Sequence, residues 1–572
     1  MPQNNASLHR LRGLPPSRTR LVSLAKAMSS PSSLVGVRPA ARAGRPDEAK
    51  RTASPVSSAS SGSVNEELPS ERLGPSERRH LQLGDVHLKV ANYVARMEIV
   101  KPEALRVTPA HKAFKQCARA LRSEEDHDFY GESSMSEQIS CFWSHSWHGS
   151  RWMKILSLMV RYNGLPAVLV GSFTAVTMII LFIFGLLPGF SRYADNAPRW
   201  STWSLTSGFA ATVITFFVWR PQQLVFLDRI CINGDDLELK TVSIFSLAGI
   251  LKRSDHMLVL WDPTWSERLW CVFELAAFLK SKAPSGAGEQ VLLIRPTFLG
   301  PCSIGLFIGV FLVFVPATTI PMRDRDSLGA YLILVPLSGV FLFLFIMGYV
   351  LAAAFRAYFR SVETLKENMR KISFDNARCS CCDQDHVQGG ARMMCDRKVV
   401  KKCVSIWFGS EEAFEDYARS EVLETLLTGL HDQIFTRGWS LSVAIPILWA
   451  FLDLAVSEAV AEAKYSSIAL SIHGLVLWFC CAPIFVDVCT FFAWRYCRAN
   501  TWFGEVLENL RVELVGVVCF CAISGSWVIS MTFDWEMRVG AFAGLWCMLA
   551  LFHVLYKVSR KSGGCHPFRQ SG

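Results

Sequence analysis

Two kinds of apolar pattern alternate along this chain. Long uninterrupted apolar runs occupy 165–187, 203–219, 302–320, 329–354, 440–456, 468–494, 512–532 and 539–556. A helix needs about 20 residues to cross the hydrocarbon of a bilayer, so these runs predict about eight spans. They group as a hairpin over 165–219, a second hairpin over 302–354 and four helices over 440–556. Between the first two hairpins the pattern changes. The runs 224–227 and 256–261 are short and bounded by polar residues, as buried strands are. Each leads into apolar residues at helical spacing: Ile244, Leu247, Ile250 and Leu251 after the first, Trp270, Phe273, Leu275, Ala277 and Phe278 after the second. Strand alternating with helix predicts an α/β unit with a parallel sheet, whose ligands sit at the carboxyl ends of the strands.

The α/β unit spans 138–164 and 222–298, with the membrane hairpin standing where a loop would be. A hairpin returns the chain to the side it left, so both parts can join one sheet. Residues 76–137 carry a mildly helical pattern and read as a helical lead-in. The polar segment 355–439 is rich in cysteine and ends in an amphipathic helix. Ser410 is its expected N-cap, with Glu411 and Glu412 in the first turn and Phe414, Ala418, Val422, Leu426 and Leu430 along one face. That segment is expected to dock on the α/β unit and complete it.

Several motifs carry a resemblance. Trp270-Cys271-Val272-Phe273-Glu274-Leu275, after a Ser266-Glu267-Arg268 turn, resembles the W-C-x-x-E-L segment of TIR domains. Asp228-Arg229-Ile230-Cys231-Ile232-Asn233 is similar to the D-x-x-C-I-N segment of fungal heterokaryon-incompatibility domains, which are TIR relatives. The whole layout, including the later Cys395-Asp396-Arg397 and Trp407-Phe408-Gly409-Ser410 stretches, is similar to multi-span TIR-like proteins of protists such as dinoflagellates. Residues 139–147 resemble the first TIR strand and its loop, and on that resemblance 290–294 supplies the fourth strand and a fifth has no counterpart. The resemblance implies a flavodoxin-like α/β fold and signalling by self-association or by binding another TIR-like domain. It also implies NAD as a candidate substrate. In TIR enzymes the glutamate of the W-C-x-x-E-L motif contacts the NAD ribose and is needed to cleave the nicotinamide bond. Carried over by motif, Glu274 is the candidate catalytic residue. Ser144, Trp147, Asp228, Trp261 and Trp270 are the candidate substrate-binding residues around it. The chemistry fits a carboxylate, which stabilises an oxocarbenium-like transition state and orients sugar hydroxyls.

Composition supports a membrane protein: 51% of the 572 residues are hydrophobic, concentrated in the long runs. The net charge of +10 does not point to nucleic acid, because the basic residues lie in the N-terminal tail and beside the apolar runs. Basic flanks mark the cytosolic face of a membrane. Both termini and the α/β unit are thus expected in the cytosol, with the lipid bilayer as the main partner; which membrane is left open. Residues 1–75 are rich in Ser, Pro and Arg and read as a disordered tail, with a transit peptide as the alternative. Residues 557–572 form a short cytosolic tail.

Two further groups could carry chemistry. Cys379, Cys381, Cys382, His386 and Cys395, with Cys403 beyond them, offer soft ligands for zinc, although the C-x-C-C spacing with a later His and Cys is not that of a standard zinc motif and free thiols are the alternative. Within the apolar runs, Asp453 and Asp487 are the notable carboxylates. Intramembrane acids often mark ion paths, so a transporter or channel regulated by its TIR-like loop is the alternative function.

Overall fold

The computed structural model describes residues 86–122, 129–191, 198–282, 292–319, 327–388, 391–392, 394–462, 464–499 and 501–532. The expected tails at 1–75 and 557–572 and the apolar run 539–556 lie outside these. Most described residues are helical, and one six-stranded mixed sheet forms where the short apolar runs were read. Its strands are β1 (Arg106–Pro109), β2 (Ser134–Met135), β3 (Ile139–His145), β4 (Leu224–Phe226), β5 (Ser254–Trp261) and β6 (Leu292–Pro296), in spatial order β2-β1-β4-β3-β5-β6. β4, β3, β5 and β6 are mutually parallel, with Phe142 opposite Phe226 and Met257, and Trp261 opposite Pro296. β1 joins β4 antiparallel and carries β2 at the edge.

This corrects two expectations. The sheet is mixed rather than wholly parallel, and the lead-in read as helical supplies the two antiparallel strands. Only four and two residues long, these strands are too short to show a period of two. No fifth parallel strand follows β6 among the described residues.

Alternation along the strands sends side chains to two cores. Cys141, Trp143, Val225, Leu258 and Leu260 face α1 (Arg151–Ile183), meeting Ile155 and Leu158. The Trp143 indole N–H donates to the Tyr162 hydroxyl at 3.0 Å, fixing this helix to the strand. On the opposite face Phe142, Phe226, Met257, Val259 and Trp261 join one core with α4 (Leu247–Arg253) and α5 (Leu269–Lys282); α2 (Trp203–Val218) and α3 (Leu237–Phe245) precede them. The stacked Phe142 and Phe226 rings lie 5.0 Å apart.

The same core extends into the segment after the second apolar hairpin, formed by α6 (Leu299–Thr319) and the start of α7 (Ser327–Arg370). Val362, Leu365 and Met369 of α7 pack into it, as do Val399, Val400 and Val404 of α8 (Asp396–Phe408) and Leu426 and Leu430 of α9 (Leu423–Gln433). Ser410 caps the intervening helix as its sequence suggests, accepting the Ala413 N–H at 3.0 Å. Helix α9 packs on β6, the strand beyond which a fifth would lie.

Three helices among the described residues are long and apolar enough to cross a membrane: Arg151–Ile183, Leu299–Pro316 and Lys464–Arg495. A fourth counts if the bent pair Arg437–Val443 and α10 (Ile445–Val460) is one span. Eight such spans are not reached. α2 is apolar but too short for the same criterion. The last described helix, α11 (Trp502–Thr532), is tied to α7 by the wholly buried Arg356, whose guanidinium donates to the Tyr496 carbonyl, to Glu505 and to Asn509.

Helix α1 is continuous from the sheet into its apolar half. A Cβ on Gly171 would run into Thr212 Oγ1 and meet the Gly208 carbonyl oxygen at 2.7 Å, and one on Gly300 would run into the Ser157 backbone nitrogen. Glycine at these two positions lets α2 and α6 touch α1 backbone to backbone. The Gly305 and Gly309 pair, whose spacing also suggests close packing, does not do this: a Cβ on Gly305 meets nothing within 4 Å among the described residues. Gly300→Ala should therefore destabilise the purified protein by about 1–3 kcal/mol through overpacking against backbone, while Gly305→Ala should be near neutral. Thermal unfolding in detergent would show the difference, and equal midpoints would refute the packing argument.

Candidate functional site

The carboxyl ends of β3 and β5 meet where the strand connections diverge, with β3 leading out to β4 on one side and β5 to β6 on the other. A crevice at such a point is where open α/β sheets place ligands. Ser144, near the end of β3, donates from Oγ to Glu274 Oε2 at 2.6 Å and accepts the Trp265 indole N–H at 3.0 Å. Glu274 sits on α5, and the first turn of that helix places the Cys271 sulfur 3.7 Å from the His145 carbonyl. Burial raises the Glu274 pKa from an ordinary 4.5 to about 8, over the opposing Ser144 hydrogen bond; Asp228 raises it further and Arg268 lowers it. Near neutral pH the side chain is thus mostly a carboxylic acid.

Around this pair the loop after β3 is held from several directions. The Trp147 indole N–H donates to Asp228 Oδ2 at 3.2 Å, and the Trp147 ring meets that of His145 edge-on at 4.4 Å. Burial depresses the His145 pKa, and its Nε2 has no hydrogen-bond partner. Asp262, at the end of β5, accepts from Thr264 through Oδ1, while its buried Oδ2 has no partner. Lys154 of α1 donates to the Ser146 carbonyl.

Of the residues expected around Glu274, Ser144 touches it and Asp228 acts on it through its charge. Trp147 stands beside Asp228. Trp261 is buried in the core, with its indole nitrogen unpartnered. Trp270 goes elsewhere: it packs on Phe273 and lines a cavity of about 10 Å³ with Val94, Ile244 and Asp396. That space holds a water at most. Sequence reading does not single out Trp265 or Asp262.

The thiol group converges as well. Cys381, Cys382, His386 and Cys395 bring one ligand atom each within 4.8 Å of one another. Cys379 and Asp396 flank them, and Cys403 points away, donating to the Ala91 carbonyl at 3.5 Å.

Asp453 meets a helix terminus. It is buried on α10 and faces the start of α2, whose own N-cap residue, Thr202, makes no capping hydrogen bond. Asp453 Oδ1 accepts from Ser201 Oγ at 2.6 Å and from the Ser204 N–H at 3.0 Å, and Oδ2 accepts from the Leu205 N–H at 2.8 Å. The carboxylate is an N-cap supplied by a neighbouring helix. Asp487 lies half-buried in the helix Ala482–Arg495.

No protein-family model, curated protein or solved structure matches the chain.

Two measurements test these assignments. Folded Glu274 keeps its proton to about pH 8, whereas the unfolded side chain releases it near 4.5, so the folded state binds more protons between these values. Stability should fall as pH rises across that window. Glu274→Gln, neutral throughout, should lose this slope; parallel thermal-midpoint curves for the two proteins between pH 5 and 8 would refute the raised pKa. Separately, Asp453→Ala should cost about 1–3 kcal/mol by stranding buried donors, with Asp453→Asn retaining much of the cap through its amide oxygen. Equal losses for the two variants in detergent unfolding would remove the capping role.

Proposed function

We propose that this chain is a multi-span membrane protein whose α/β unit is a TIR-like domain, signalling at the membrane by self-association or by binding another TIR-like domain. The observation that carries the reading is the Glu274–Ser144 pair. It stands where the parallel strands, ordered second, first, third, fourth, diverge, in a sheet with the doubly wound order of flavodoxin-like folds. The motif resemblance of the Glu274 helix supports the same reading. On it, the α/β unit and both termini face the cytosol, and the eight apolar runs are spans, including 539–556 beyond the described residues.

NAD cleavage is the reaction this site would run. A ribose hydroxyl would take the place of the Ser144 hydroxyl on Glu274, and the ionised carboxylate would stabilise positive charge developing on the sugar. Because Glu274 is mostly protonated near pH 7, the activity belongs to the ionised minority there and grows towards pH 8. The transporter alternative rests on Asp453 and Asp487; at Asp453 both carboxyl oxygens accept hydrogen bonds from the α2 terminus.

Nicotinamide release from NAD by the full-length protein in liposomes is the deciding assay. Release should rise roughly fivefold from pH 7 to pH 8, following ionisation of a group with a pKa about 8, and vanish in Glu274→Gln. Absence of release up to pH 9 would eliminate the enzymatic reading and leave self-association, which concentration-dependent cross-linking of α/β units in the same liposomes would have to show.

A further inference from the structure

We propose that Cys381, Cys382, His386 and Cys395 bind one zinc ion, and that this ion fixes the start of the helix bearing Glu274. Geometry supports the set. The sulfur separations are 4.0 Å for Cys381 to Cys382 and 3.8 Å for Cys382 to Cys395. A tetrahedron with zinc–sulfur bonds of about 2.3 Å has edges of about 3.8 Å. Cys379 fits less well, since its sulfur lies 3.2 Å from that of Cys381, too close for two ligands of one ion. Sequence reading included Cys379 because spacing alone cannot separate it from its neighbours.

His386 supplies the independent sign. Its Nε2 is buried and has no hydrogen-bond partner. The backbone goes out of its way to present it: Asp385 and His386 both adopt left-handed φ, 50° and 57°, a conformation uncommon outside glycine. This turn brings the His386 N–H to the Cys381 carbonyl at 2.8 Å, and the imidazole places a ligand nitrogen within 4.8 Å of the three sulfurs. A metal–imidazole bond would offset the strain and satisfy the nitrogen. The Asp396 N–H, 3.3 Å from the Cys381 sulfur, is the kind of outer hydrogen bond that steadies a ligating thiolate. Three thiolates and an imidazole are soft ligands that suit zinc.

The clip reaches the candidate site through backbone. Arg378, beside the cluster, donates its N–H to the Glu267 carbonyl at 2.7 Å and accepts the Leu269 N–H at 3.1 Å, so the cysteine loop pairs with the first turn of α5. Cys395 immediately precedes α8, which packs on α5 with the Phe273 and Trp407 rings 5.5 Å apart. Metal binding would therefore hold both the loop and α8 against the Glu274 helix.

Elemental analysis of the full-length protein, purified under reducing conditions and dialysed against zinc and then against zinc-free buffer, tests this. About one zinc per chain is expected, lost in Cys395→Ala and His386→Ala and kept in Cys403→Ser and, by thiolate replacement, in His386→Cys. Cobalt substitution of the wild type should give the absorption of tetrahedral cobalt thiolate, a readout that does not depend on any variant folding. Chelation should speed hydrogen exchange at Leu269 and Trp270. Zinc below about 0.1 per chain in the wild type, or zinc content unchanged in Cys395→Ala, would overturn the proposal.

Discussion

Much of this structure depends on one helix doing two jobs. The first half of α1 packs on the sheet through Ile155 and Leu158, and its second half is apolar enough to enter a membrane. At 1.5 Å per residue its 33 residues form a rod about 50 Å long. Near its middle, Asn163 is buried and donates to the Phe216 carbonyl at the end of α2, which clamps the returning helix before the chain enters β4. The sheet therefore does not hang from a flexible linker. Its position relative to the apolar helices is set by a continuous backbone and by the close approach of α2 and α6 at Gly171 and Gly300.

Two carboxylates show how environment divides roles between like groups. Asp453 receives two backbone N–H groups and a hydroxyl, which join it to a helix terminus. Glu274 receives a single hydroxyl, and desolvation holds its proton on near neutral pH. The first arrangement locks a structure. The second leaves a proton that can move near physiological pH.

Sequence reading reached the central strands because buried parallel strands are continuous apolar runs, and 224–227 and 256–261 have that form. It reached the Ser410 cap because a hydroxyl before two acids and an apolar face has a local cause. The rest depends on partners far along the chain. β1 and β2 owe their conformation to β4 and to each other, with no periodic pattern of their own. The value of a glycine follows from what lies opposite it, so Gly300 matters where the more conspicuous Gly305 does not. For the same reason Asp453 resembled a pathway residue until its partners on the α2 terminus were in view. Trp265, which holds Ser144 in place, directly precedes the Ser266-Glu267-Arg268 turn but becomes significant only when β3 is brought beside it.

The packing of α9 on β6 also orders events in time. Residues 423–433 follow β6 by more than a hundred positions, with the whole apolar hairpin of α6 and α7 between them. At synthesis rates of roughly 5–20 residues per second, the sheet must wait on the order of ten seconds for its last cover while hydrophobic segments are still being delivered. During that interval β6 presents an open edge, the kind of surface that invites mispairing. The nascent chain thus passes through a stage at which its sheet is incomplete while apolar helices are still emerging, and chaperone protection matters most then.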